Sequence, residues 1–107
     1  MQIDDYEDST GRSVFREWFE GLDTQTALMI NTILTRMKHG NASNIKGVGN
    51  GVYERIVDHG PGYRIYFGKE GLNVVILLCA GSKKAQQKDI NKAKLLWKEY
   101  KGRKKWH

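Results

Sequence analysis

Three places in this chain carry side chains that can do chemistry, and none is a familiar catalytic constellation. There is no Gly-rich phosphate loop, no serine flanked as a nucleophile elbow and no metal-ligand spacing. The single cysteine, Cys79, lies in the most apolar stretch, where a thiol usually packs rather than reacts. Of the three histidines, His39 ends a helix, where a basic side chain favours the negative end of the dipole, and His107 is terminal. His59 is the one imidazole in a suggestive place, at the tip Asp58-His59-Gly60-Pro61-Gly62. A surface histidine without a role is the simpler reading of that position.

Arg64 is better placed. If Tyr63, Ile65 and Phe67 face the helices, alternation puts Arg64 and Tyr66 together on the opposite, open face. There an arginine and a tyrosine can hold a phosphate and stack on, or hydrogen-bond, a base. A cross-strand ion pair of Arg64 with Glu54 explains the same arginine without any ligand, and the residues alone do not choose. The third place is Gly81-Ser82-Lys83-Lys84, which leads into a helix. Lysines at a helix N-terminus oppose the dipole, whereas free amides and lysines together bind phosphate well. Without a ligand the same lysines represent modest strain on a solvated end, about a few tenths of a kcal/mol. Lys46, in the loop before the sheet, can extend this basic rim.

The elements that position these residues follow from periodicity. Residues 2–6 read as a short first strand, weakened by Asp4 and Asp5. Phe15, Trp18, Phe19 and Leu22 recur at helical spacing between a Ser13 cap and Gly21. Asp23 caps a second helix, with Ala27, Ile30, Leu34 and Met37 as its apolar stripe and Gly40-Asn41 as its end. Segment 40–51 is rich in Gly and Asn and reads as a loop. Residues 52–57, 63–67 and 73–80 are then three strands joined by hairpin-length links. Residues 74–79 are apolar without alternation, so that strand is expected to be covered on both faces. Ser82 is the expected cap of a last helix over 83–100, with Ile90, Ala93, Trp97 and Tyr100 turned inward. The expectation is one small α+β domain, ordered β-α-α-β-β-β-α, with a mainly antiparallel sheet and helices packed on one face.

Composition bounds the partners. With 107 residues, 39% hydrophobic and 28% charged, the chain suits a single globular domain rather than a disordered or fibrous one. One cysteine allows no internal disulfide, and no apolar run approaches the roughly 20 residues of a membrane span. The acidic start (Asp4, Asp5, Glu7, Asp8) is unlike a secretion signal, so a cytoplasmic location is expected. Net charge is +6, and residues 83–107 hold ten Lys or Arg against Asp89 and Glu99. Such a stretch attracts nucleic acid, an acidic protein or an anionic membrane; a solvated, Lys-rich helix face gives the same count.

The run Gly51-Val-Tyr-Glu-Arg-Ile-Val-Asp-His-Gly-Pro-Gly-Tyr-Arg-Ile-Tyr-Phe-Gly68, followed by Gly81-Ser-Lys-Lys-Ala-Gln-Gln-Lys-Asp-Ile90, resembles the RelE/HigB-type toxins. More narrowly, it is similar to the phage-derived addiction module killer branch of toxin–antitoxin systems. Gly11-Arg12, Phe15, Glu17-Trp18, Gly40-Asn41 and Asn44-Ile45-Lys46 fit that branch too, so the resemblance spans nearly the whole chain. It implies a RelE-like fold and an endoribonuclease that cuts mRNA, in many members on the ribosome, without metal or other cofactor. The 2′-OH attacks the adjacent phosphate, which calls for in-line positioning, a proton acceptor and positive charge on the developing dianion.

Carried over by position, Arg64 matches the family's strand arginine and Lys83 its second basic residue. Tyr66 and His59 are left as acid–base candidates, because Asp89 stands where some relatives place a terminal tyrosine. Lys46, Arg55, Lys84, Gln87 and Lys88 become the expected RNA contacts. Relatives often read Glu-Leu-Arg-Ile where this chain has Glu54-Arg55-Ile56-Val57. Strict alternation turns Arg55 toward the helices, and only a bulge would return it to the site. The implied partner is a cognate antitoxin, commonly a helix-turn-helix protein, in a toxin–antitoxin hetero-oligomer. Relatives of the ParE type share the fold but poison DNA gyrase instead, and a basic RNA-binding domain without catalysis is a third possibility.

Overall fold

The sheet grows from the second half of the chain. In the computed structural model, which describes residues 1–104, strands β3 (Val52–Val57), β4 (Tyr63–Glu70) and β5 (Val74–Ser82) form an antiparallel meander. Before them come β1 (Gln2–Asp5), α1 (Val14–Glu20), α2 (Thr24–Lys38) and β2 (Ile45–Gly49); α3 (Gln86–Lys104) follows a 3₁₀ turn at Lys83–Ala85. The five strands lie in the order β1-β5-β4-β3-β2, a mixed sheet because β1 pairs in parallel with β5. The protein is thus a compact α+β domain of one five-stranded sheet and three helices. His107 and the last residues of the basic stretch lie outside the described residues.

The caps of α1 and α2 are those expected. Ser13 Oγ accepts the Arg16 N–H at 3.0 Å and Asp23 accepts the Thr26 N–H at 3.2 Å, each satisfying a first-turn donor. Phe15, Ile30, Ile33 and Met37 pack with Val57, Ile65, Phe67, Val75 and Leu77 to form a core on one face of the sheet. The loop reading of 40–51 is corrected. Asn50 and Gly51 both adopt positive φ (58° and 79°), which folds β2 back along β3.

The expectation of helices on one face is also corrected: α3 covers the other. The meander is apolar on both sides, so one layer of helices cannot dry it. Ile76, Leu78 and Cys79 of β5 and Tyr66 of β4 face away from α1 and α2 and bury against Ile90, Ala93 and Trp97. Leu78 and Cys79 share that side because the β4–β5 register slips between Tyr66 and Phe67, a bulge that places two consecutive residues in one core. Covered on both faces and flanked by β1 and β4, β5 is as buried as its apolar sequence predicts. Gly68 lets α3 approach closely. A Cβ there would lie 2.5 Å from the Trp97 ring, which stacks on Tyr100 with centroids 5.3 Å apart.

Candidate functional site

The residues expected to do chemistry gather where β3 turns into β4 and β5 runs into α3. The Lys83 N–H donates to the Gly62 carbonyl at 3.1 Å, tying the start of the helical segment to the β3–β4 turn. His59 and Lys83 are both exposed, and with Asp58, Pro61 and Gly62 they line one shallow depression. The structure therefore brings together two residues 24 positions apart, an imidazole and an ammonium on one rim. Ser82 is not the expected cap. It ends β5 with no side-chain cap bond, and the 3₁₀ turn makes the entry to α3.

Beside this rim lies a buried polar cluster centred on Glu54, whose side chain has no solvent exposure. Arg64 Nη1 donates to Glu54 Oε1 at 3.0 Å, Gln86 Nε2 donates to Oε2 at 3.0 Å, and Lys46 Nζ lies 3.6 Å from Oε1. Register explains the meeting. Glu54 faces Tyr66 across β3–β4 and Ile56 faces Arg64, so the ion pair is a diagonal contact on the α3 side. The ion-pair reading of Arg64 is therefore the one observed, and only 12% of its side chain is exposed.

Tyr66 is corrected from an open-face residue to a core one. It is fully buried beneath α3, with its hydroxyl lacking a hydrogen-bond partner. Burial first, and the Glu54 charge second, push the phenol well above its ordinary value. In this arrangement it neither meets a bound ligand nor gives up its proton near neutral pH.

Arg55 is where alternation puts it, on the α1–α2 side. β3 pairs with β4 without a register shift, so no bulge returns Arg55 to the Arg64 side. Arg55 Nη1 donates to the neighbouring Ile56 carbonyl, and the side chain shares a hollow with Arg36, Asn44 and Asp58. Burial, then the Arg36 charge, lower its pKa. Lys84 of the 3₁₀ turn and Gln87 and Lys88 of the first turn of α3 are exposed, and Gln87 Nε2 donates to Asn91 Oδ1 at 3.0 Å.

Sequence reasoning missed Gln86, which turns inward while Gln87 points out. The signal was present, because Gln86, Ile90, Ala93 and Trp97 fall on one helical stripe. Asp89 joins it. A Cβ on Gly81 would lie 2.0 Å from its carboxylate, so only glycine leaves room for it. Burial holds the Asp89 carboxyl above the usual range. Among the described residues, no group of three or more His, Cys, Asp or Glu is arranged to hold a metal ion. No described helix is long and apolar enough to cross a membrane.

A protein of Haemophilus influenzae described as uncharacterized is 42% identical over 86 residues, which is 79% of this chain and 87% of that protein. This chain belongs to that protein's family. No family model and no solved structure matches it.

Proposed function

We propose that the protein is a RelE/HigB-type toxin acting in the cytoplasm as a metal-independent mRNA endoribonuclease. The observation that carries this reading is the rim that His59 and Lys83 both line, beside the Arg64 cluster. An RNA phosphate on this rim would find Lys83, with Arg64 behind it, to offset the charge that builds as the 2′-OH attacks. His59 is the exposed group able to take the 2′-OH proton. Tyr66 has no part in that step because α3 covers it. Lys84 and Lys88 extend the positive surface along which RNA would lie, with Lys46 on the far side of Glu54. A toxin of this kind needs a cognate antitoxin. The exposed Lys83 and Lys84 suit an acidic segment of such a partner, which would cover the rim, in a toxin–antitoxin hetero-oligomer.

One observation favours a second reading. Glu54 already engages Arg64, which suits a binding toxin of the ParE type that inhibits DNA gyrase without cutting RNA. A translation extract given a defined mRNA, with and without EDTA, separates the two. New 5′-hydroxyl ends that persist with chelator support the nuclease. Intact mRNA together with inhibited gyrase supercoiling overturns it.

A further inference from the structure

The two flanks of α3 carry their charges differently. Toward β1, the charged groups have hydrogen-bond or ion-pair partners. Tyr6 OH donates to Glu99 at 2.9 Å, Arg103 Nη1 donates to the Glu7 carbonyl at 2.7 Å, and Lys104 Nζ lies 3.2 Å from Glu70. Toward the β2–β3 turn stand Lys94, Lys98 and Lys101, spaced four and three apart on one face. Among the described residues no carboxylate lies within 4.0 Å of these three ammonium groups. Like charges at this spacing cost about 0.2–0.5 kcal/mol per pair, and no described carboxylate pairs with them to offset that cost.

We propose that this flank is a binding tract for the backbone of single-stranded RNA, separate from the His59–Lys83 rim. The proposal rests on the RNA reading above and extends it to a second surface. Lys94, Lys98 and Lys101 line a hollow with Asn50, Asn91 and Leu95, floored by Trp97. Two of the lysines are held in place. Lys94 Nζ lies against Gly49, where a Cβ would come within 3.2 Å, and Lys101 Nζ sits 5.7 Å from the centre of the Trp97 ring. At 1.5 Å of rise per residue, Lys94 to Lys101 covers about 10 Å of helix, enough to meet successive phosphates of one strand.

The lining decides the class of partner. Asn50 and Asn91 offer both donors and acceptors, which suits sugars and base edges. Leu95 is the only exposed large apolar side chain of α3 among the described residues. A bilayer or an amphipathic helix would need a broad apolar face, and this flank has none. Gln87 and Asn91 continue this row at the same spacing back to the start of the helix, so RNA on this flank would run toward the candidate site.

The test is anisotropy of a labelled 12-nucleotide single-stranded RNA, titrated at several salt concentrations with the wild type and with K94Q/K98Q/K101Q. Circular dichroism checks that the variant keeps its fold. Losing three phosphate contacts should weaken binding on the order of tenfold and lower the slope of log K against log salt by about 2, at roughly 0.7 per contact. Equal affinity and slope in a folded variant overturn the proposal. So does a variant that loses poly-glutamate binding but keeps its RNA binding, since the flank would then be a protein-binding surface. Wild type that binds with this salt dependence yet never cleaves would leave the tract standing and sink the nuclease reading.

Discussion

Replacing Arg64 by alanine takes from Glu54 its nearest cation, in a place where water cannot compensate. Glu54 has no exposed side-chain surface and Arg64 only 12%, so solvent screens their pairing little. Breaking one side of a buried ion pair costs about 3–5 kcal/mol, because a charge is left uncompensated. Here Gln86 at 3.0 Å and Lys46 at 3.6 Å still face the carboxylate. They put the expected loss at the lower end, about 3 kcal/mol. A domain this size is stable by about 5–15 kcal/mol, so Arg64→Ala folds with a much reduced margin. Its melting temperature should fall by roughly 12 °C or more. Adding Glu54→Gln removes the stranded charge and should restore about 2 kcal/mol, giving a coupling that a double-mutant cycle measures directly. Urea unfolding followed by tryptophan fluorescence reads all four proteins. An Arg64→Ala protein within about 0.5 kcal/mol of wild type would refute this reasoning and show that Arg64 is free for a ligand. The result also governs activity assays. Arg64→Ala alone confounds catalysis with stability, whereas the double variant separates them.

Three further outcomes follow from the packing. Gly68→Ala drives a methyl group to 2.5 Å from the Trp97 ring, which is stacked on Tyr100 and cannot slide freely. The overpacking should cost about 1–3 kcal/mol in urea unfolding, and an unchanged midpoint would contradict the account of α3 docking. Burial pushes the Cys79 thiol up to about 12, so the native protein should stay unlabelled by a thiol reagent at about pH 8 and react only once unfolded. Immediate labelling of the folded protein would contradict that placement. Burial also raises the Asp89 carboxyl, so the folded state holds its proton more tightly than the unfolded chain does. Its stabilising contribution is present below the unfolded pKa, about 4, and is lost as pH rises through the folded value. Asp89→Asn should therefore be the more stable protein at neutral pH, with the gap closing in acid. A variant less stable at pH 7 would show that the helix dipole outweighs burial.

The elements set by a single period were legible in the sequence. The stripe Ile90, Ala93, Trp97 and the alternation of Tyr63, Ile65 and Phe67 against Arg64 and Tyr66 appear in the structure as read. Which face each helix covers was not legible, because that depends on which surfaces remain wet after the strands pair. Tyr66 shows the consequence. Its side of the strand was right, but α3 covers that side, and so an accessible phenol became a core residue. β2 was missed because glycines and asparagines suggest a loop, although Asn50-Gly51 is a strong hairpin signal. Gln86 and Gln87 differ only in helical phase, and the 3₁₀ turn before α3 sets that phase.

The parallel pairing of β1 with β5 sets Gln2 opposite Val74, so the ladder must wait for most of the chain to be made. β2 to β5 are joined in sequence by short turns, and local contacts form faster than distant ones. The meander can therefore assemble while the edge of β5 that β1 will occupy is still bare. That edge belongs to the run Val74–Ala80, which holds no charge and no proline and is the sort of segment that recruits strands from other chains. β1 is short, but its aspartates suit it to the duty of a guard. Asp4 is exposed at the new outer edge, and Asp5 meets Arg16 at 2.8 Å, leaving a charged border where an apolar one stood. The residues that make 2–6 a poor strand candidate are thus the ones that let a nascent chain pass from a sticky intermediate to a domain with a guarded edge.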